Sequence, residues 1–246
     1  MEGRFEMEKK LSDMKISGTG TIGGGKYNEV KISGSAKIEG DIDCSYYKCS
    51  GSSTANGNVK SRMIGISGST KICGNVDTEE MAVSGSSHIM GSVNTKKLKI
   101  SGSSIIEGSL HTESIKISGS VSINEDCEAE DFYAKGNFNI GGLLNAGNID
   151  IEMYGKCEVK DIGGENIKIK LGTGHFFIRM INLFSNYAKL VTGVIEGDDI
   201  YLENTVAKVV RGNNVIIGPN CDIEIVEYRD KVDVGENSKI ICKKIS

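Results

Sequence analysis

A chain of 246 residues with 29 basic and 33 acidic side chains has room for one or two domains, and its interspersed charge argues against a nucleic-acid partner. No apolar run approaches the roughly 18 residues of a membrane helix, and the N-terminus lacks the charged, apolar, small-residue order of a signal peptide. Seven cysteines without a Cys-x-x-Cys pair fit reduced thiols, so a cytoplasmic location is expected.

Residues 1–15 read as an N-terminal extension. Met7, Leu11 and Met14 fall at i, i+4 and i+7 among charged neighbours, the pattern of a short amphipathic helix. A cap over the end of the following structure, a segment touching a membrane surface and disorder are the readings that fit.

From there the chain repeats. Ile32-Ser33-Gly34-Ser35 returns 17 residues at a time as Cys49-Ser50-Gly51-Ser52, Ile66-Ser67-Gly68-Ser69, Val83-Ser84-Gly85-Ser86, Ile100-Ser101-Gly102-Ser103 and Ile117-Ser118-Gly119-Ser120. A fixed period of this size defines a solenoid whose units cannot stand alone. Counted from the residue before Ser-Gly, apolar or small side chains recur two before, at zero, and four, six, ten and twelve after. One such set is Met81, Val83, Ser87, Ile89, Val93 and Thr95. These are three i, i+2 doublets, and period two is strand geometry with both members on one face. Each coil is therefore expected to hold three short strands around one core.

Two of the corners carry glycine ladders, Gly34 to Gly119 and Gly40 to Gly108, which the sequence attributes to tight turns at positive φ. A single Pro among 32 Gly suits a ladder that proline would interrupt.

The register extends to both sides. Ile16-Ser17-Gly18 opens it one residue out of step. Met153-Tyr154-Gly155 and Leu171-Gly172-Thr173 continue it, Ile200 is placed one period before Ile217, and Ile217-Gly218 and Val234-Gly235 close it. With thirteen intervals between Ile16 and Val234 the mean step is close to 17, giving one solenoid of about 14 coils over residues 16–246. Residues 175–197 keep no clear corner; a degenerate coil, a loop or a hinge fits that stretch.

No catalytic constellation emerges, and no catalytic, cofactor-binding or metal residue is assigned. His88 and His111 lie on outward offsets of different faces, and His175 stands apart in the irregular stretch. No glycine-rich loop is followed by Lys-Ser or Lys-Thr, so nucleotide binding is not expected. Asp41, Asp43, Asp198 and Asp199 lack a full ligand set and read as solvated corners.

The repeated Ile-Ser-Gly-Ser coils, strongest over residues 30–123, resemble those of the bactofilins, polymer-forming bacterial cytoskeletal proteins. Residues 197–205 and 211–218 also look like the longer Gram-positive members of that family. The resemblance implies an all-β, single-stranded, right-handed parallel β-helix. It implies nucleotide-free, end-to-end assembly into filaments without polarity, often at the inner face of the membrane, as scaffolds for envelope or morphogenetic proteins. The chain departs from the family in lacking proline-rich tails and a clear N-terminal membrane motif, and in its degraded C-terminal half.

On this reading the ends carry the function. An uncovered coil leaves unpaired N–H and C=O groups and apolar side chains that template association. The expected interface residues are Ile16 and Ile22 at one end and Ile240, Ile241 and Ile245 at the other, with the strand-like C-terminus as the open end. The expected partner is a second copy of the chain. The alternatives are a monomeric or dimeric interaction platform and an acyltransferase built on hexapeptide-like Ile217-Gly218-Pro219-Asn220-Cys221 and Val234-Gly235-Glu236-Asn237-Ser238. Those enzymes use 18-residue coils and a histidine, which these segments lack.

Overall fold

The computed structural model describes residues 11–172 and 188–244. Among them every regular element is a strand, and the strands stack in parallel as a β-solenoid of about 13 turns. Residues 11–13 have no regular structure and Met14–Ile16 is a strand paired with residues 30–32, so Met14 belongs to the first coil rather than to a helix. The remainder of the expected cap, Met7 included, lies outside the described residues.

In the regular part, two faces and the two-residue corner between them form a single eight-residue strand such as Val76–Val83, and a four-residue strand such as Ser86–Ile89 forms the third side. Each residue pairs with its equivalent one period on: Val76 with Val93, Met81 with Leu98, Val83 with Ile100. The inward columns read from the sequence are the core. Ile32, Ile66, Val83, Ile100 and Ile117 are at most 1% exposed. Where an inward column is polar, its hydroxyls find partners along the column, in a neighbouring column or on the backbone. The Tyr47 hydroxyl donates to Ser53 Oγ at 3.0 Å, Ser53 and Thr70 share a bond at 2.9 Å, and Ser87 and Ser104 share one at 2.6 Å. Thr112 Oγ1 donates to the carbonyls of Lys96 and Ser114. These bonds remove the penalty of burying a hydroxyl.

The corners correct one expectation. Among the described glycines only Gly25 and Gly40 have positive φ. The Ser-Gly ladder is glycine for a different reason: a Cβ on Gly85 would run into the carbonyl oxygen of Gly68, one on Gly102 into that of Gly85, and so on down the column. Coil spacing, not backbone handedness, excludes side chains there. The second corner is closed by an Asx ladder. Asp41 Oδ1 accepts the Asn58 N–H at 2.7 Å, Asn58 Oδ1 that of Asn75 at 2.8 Å, and Asn75 Oδ1 that of Ser92 at 2.9 Å.

The C-terminal half changes dimensions. The step is 18 residues from Ile149 to Ile167 and 33 from Asp161 to Val194. It is then 15 from Leu202 to Ile217 and 17 from there to Val234. The described coils on either side of residues 173–187 are thus direct neighbours, and the count of about 14 coils falls to about 13. The structural partner of Ile217 is Leu202, not Ile200. In this short coil each corner has two residues: Glu203-Asn204, Lys208-Val209 and Asn213-Asn214. The first of them turns on Asn204 at φ 47°, and the same corner of the following coils uses Asn220 at φ 59° and Asn237 at φ 61°. Asparagine tolerates this left-handed conformation better than other non-glycine residues.

At about 4.8 Å per coil, twelve steps make a rod roughly 58 Å long.

Candidate assembly surfaces at the ends of the solenoid

Inside the stack, each inward side chain is sealed by the coils above and below. Among the described residues the terminal coils have a neighbouring coil on one side only. The half-buried apolar residues that pack against the core are Met14, Ile16, Ile22 and Tyr27 in the first coil, and Tyr228, Val232 and Ile240 in the last. Ala129 and Leu171 complete that set from within the stack. Incomplete burial of core-facing side chains is therefore concentrated at the two ends.

At the N-terminal end Ile16 pairs with Ile32 and Ile22 with Ile38, each continuing an inward column. Tyr27 heads the column that proceeds through Cys44 and Ser61, and its hydroxyl donates to the Gly23 carbonyl at 3.1 Å. Neither Met14 nor Tyr27 is among the interface residues expected from the sequence, although both sit on inward offsets. The first was masked by the helix pattern and the second by the glycine-rich segment before it.

At the C-terminal end Lys239 bridges to Asp222, which sets Ile240 beside the inward Ile223. Ile241 is different: it projects outward and is 69% exposed, while its carbonyl accepts the Val226 N–H at 2.9 Å. The expected interface thus divides into Ile16, Ile22 and Ile240, which face the core from terminal coils, and Ile241, which lies on the flank. Ile245 lies outside the described residues.

The flanks carry paired charge. Lys26 meets Asp43 at 3.4 Å and Lys60 meets Asp77 at 3.7 Å, so opposite charges alternate from coil to coil along one row. Glu152 bridges Lys135 and Lys170 at 3.2 and 3.0 Å; the Lys170 hydrogen bond leads in holding its carboxyl below the usual range. Arg211 ties Glu196 to Glu227 across three coils. A furrow of about 660 Å³ runs between two charged rows over a floor that includes Ser61, Thr78, Thr95 and Thr112.

The candidate chemical groups are dispersed. His88 bonds Glu107 at 2.6 Å and His111 bonds Glu128 at 3.1 Å, on different faces; His175 lies outside the described residues. Asp198 and Asp199 each accept an amide from Asn213 and Asn214, and Asp41 and Asp43 are engaged in the ladder and ion pair above. Among the described residues no three His, Cys, Asp or Glu side chains converge on a point that could hold a metal ion. Burial pushes the thiol pKa of Cys127 up to about 12 and that of Cys157 up to about 11, which keeps both protonated. Among the described residues no helix is long and apolar enough to cross a membrane.

The chain is similar to two proteins of Bacillus subtilis (strain 168). It is 44% identical to the uncharacterized protein YhbF over 101 residues, 40% of each chain. It is 42% identical to the uncharacterized protein YhbE over 90 residues, 36% of this chain and 37% of the other. The aligned part thus spans about two fifths of these relatives. No family model matches the chain, and no solved structure matches it.

Proposed function

We propose that this chain is a non-enzymatic structural protein of bactofilin type that associates with copies of itself through the ends of its β-solenoid, without nucleotide. The observation that supports this most directly is the concentration of half-buried core residues on the terminal coils, Ile16 and Ile22 at one end and Ile240 at the other. Laying a second coil on either end would complete columns that the interior already stacks, and hydrophobic burial gives about 25 cal/mol for each Å² removed from water. The assemblies would serve as scaffolds in the cytoplasm or at the inner membrane face, with envelope or morphogenetic proteins as clients.

Sedimentation velocity over a wide concentration range, with no nucleotide added, tests the reading. Self-association that rises with concentration supports it, and a single monomeric boundary throughout contradicts it. The charged furrow favours a second reading, a platform that holds an extended polar partner along its flank. In that case the monomer persists and the flank, not the ends, is sensitive to substitution.

A further inference from the structure

The furrow beside the two-residue corner does not end with the regular coils. Its first widening, of about 660 Å³, reaches from Asp43 to Glu130, and a second, of about 640 Å³, from Leu143 to Arg229. Both lie over one inward column. That column bears hydroxyls from Ser61 to Thr112 and then continues as Ala129, Ala146, Gly164, Gly197 and Gly212. Close approach of the coils keeps the later floor small: a Cβ on Gly164 would strike the Ala146 carbonyl oxygen, and one on Gly197 that of Gly164. The result is a shallow, apolar floor between two polar walls.

The charge on these walls changes along the rod. Up to Lys96 the signs alternate from coil to coil, with Arg62, Glu79 and Lys96 on one wall and Lys60 and Asp77 on the other. Ion pairs of Lys60 with Asp77 and of Lys96 with Glu79 neutralise that stretch. Alternation then stops. Glu113, Glu130, Glu165 and Asp198 follow on one wall, and Glu128 and Glu196 on the other, with no Lys or Arg on either wall between Lys96 and Arg211. Glu113 and Glu130 are direct neighbours across one coil step, a like-charge contact that works against folding. His111 answers Glu128, Arg211 answers Glu196 and the Asn213 amide answers Asp198. Glu113, Glu130 and Glu165 are exposed and, among the described residues, meet no cation.

We propose that this stretch of the furrow docks a lysine- or arginine-rich segment of another protein, extended along the rod. The proposal rests on the flank reading above, names the partner that reading leaves open, and holds whether or not the ends join. The five coils from Glu113 to Asp198 span about 19 Å, the length of about six extended residues. The wall carboxylates receive the cationic groups. The alanine and glycine floor receives the methylene stems, which basic side chains bury while keeping the charge in water. Complementary charge of this kind selects the partner and speeds its arrival. The first stretch, already neutralised within itself, offers no such preference.

Fluorescence anisotropy of labelled octalysine with the full-length protein tests the assignment at low ionic strength, where exposed charges are least screened. Octaserine serves as a neutral extended probe. The triple variant Glu113→Gln, Glu130→Gln, Glu165→Gln removes three carboxylates from the furrow. The triple variant Asp222→Asn, Glu224→Gln, Glu236→Gln makes the same change in net charge at exposed sites outside it. The first is expected to raise the octalysine dissociation constant about tenfold or more, and the second to leave it within about twofold, with neither lowering the melting temperature. Equal effects of the two triples would reduce binding to net charge and overturn the proposal. Spermidine binding as tightly as octalysine would overturn a protein segment as the occupant. If octaserine binds and octalysine does not, the basic partner is wrong and the flank reading stands; if neither binds, both fail.

Discussion

The regular coils of residues 30–134 and the irregular coils of residues 149–234 solve the same packing problem by different means. The first half holds one spacing, 17 residues, and repeats the same corner chemistry: glycine where the coils approach most closely, and Asp, Asn or Ser where a backbone N–H needs an acceptor. The second half keeps the inward columns but varies its corners, with left-handed asparagines at one of them, two-residue corners in the shortest coil, and steps of 15 to 18 residues and one of 33. The difference shows that stacking is enforced by the inward columns and the ladder hydrogen bonds. Corner length is free to change provided the columns stay aligned.

That contrast can be broken by substitution. The largest effect is expected from Ile100→Lys, which places an unpaired charge at a fully buried site and should cost about 4 kcal/mol or more. Val232→Lys on the half-buried last coil should cost less than about 1 kcal/mol, as should Lys99→Glu on the solvated face. Chemical denaturation of the three variants ranks them, and equal midpoints for Ile100→Lys and Lys99→Glu would contradict the register. Next comes Gly85→Ala, where the new Cβ strikes the Gly68 carbonyl; the expected loss is about 3 kcal/mol. Gly163→Ala, which meets only the Asn145 side chain at 3.3 Å, should stay within about 0.5 kcal/mol. Comparable losses at the two glycines would contradict the steric account of the Ser-Gly column.

A smaller effect is expected from Asn75→Ala, which leaves the Ser92 N–H without its acceptor and should cost about 1 to 2 kcal/mol. Asn214→Ala removes only an exposed side-chain bond to Asp199 and should cost about 0.5 kcal/mol. The smallest effect is on pH dependence. Cys127 and Cys157 titrate near 12 and 11 in the folded chain, raised by burial from the ordinary 9.0. The unfolded state therefore loses these protons first, so their contribution to stability is full below pH 9 and lost as pH rises through the folded values. In the native protein a thiol reagent at pH 8 should label exposed Cys73 quickly and the buried Cys127 and Cys157 only upon unfolding. Rapid labelling of Cys127 would show that the coil is open where it is drawn closed.

The period-two doublets made the coil legible because each doublet from Val30 to Ile123 runs inward, outward, inward, with the corners between them. The same property concealed the slip at Ile200. Its displacement from Leu202 is two residues, and period two leaves the inward face unchanged, so the pattern looked intact. The direct pairing of Asp161 with Val194 was hidden because 33 is close to two periods, and nothing in a one-dimensional pattern separates two coils from one coil with an insertion. The glycine columns were visible, but their cause was not. A sequence shows that a side chain is missing and not whether φ or a neighbouring backbone forbids it. At the ends, Ile16, Ile22 and Ile240 were legible as members of columns. Ile241 was not, because the corner at Glu224-Ile225 is opposed by one residue and turns it outward.

The central claim is that the solenoid joins end to end. Negative-stain electron microscopy of the purified chain without nucleotide measures this as rod length. A single solenoid is about 58 Å long, so joined rods of about 115 Å or longer are expected. Rods of single length at every concentration and salt, with no longer species, would contradict the account.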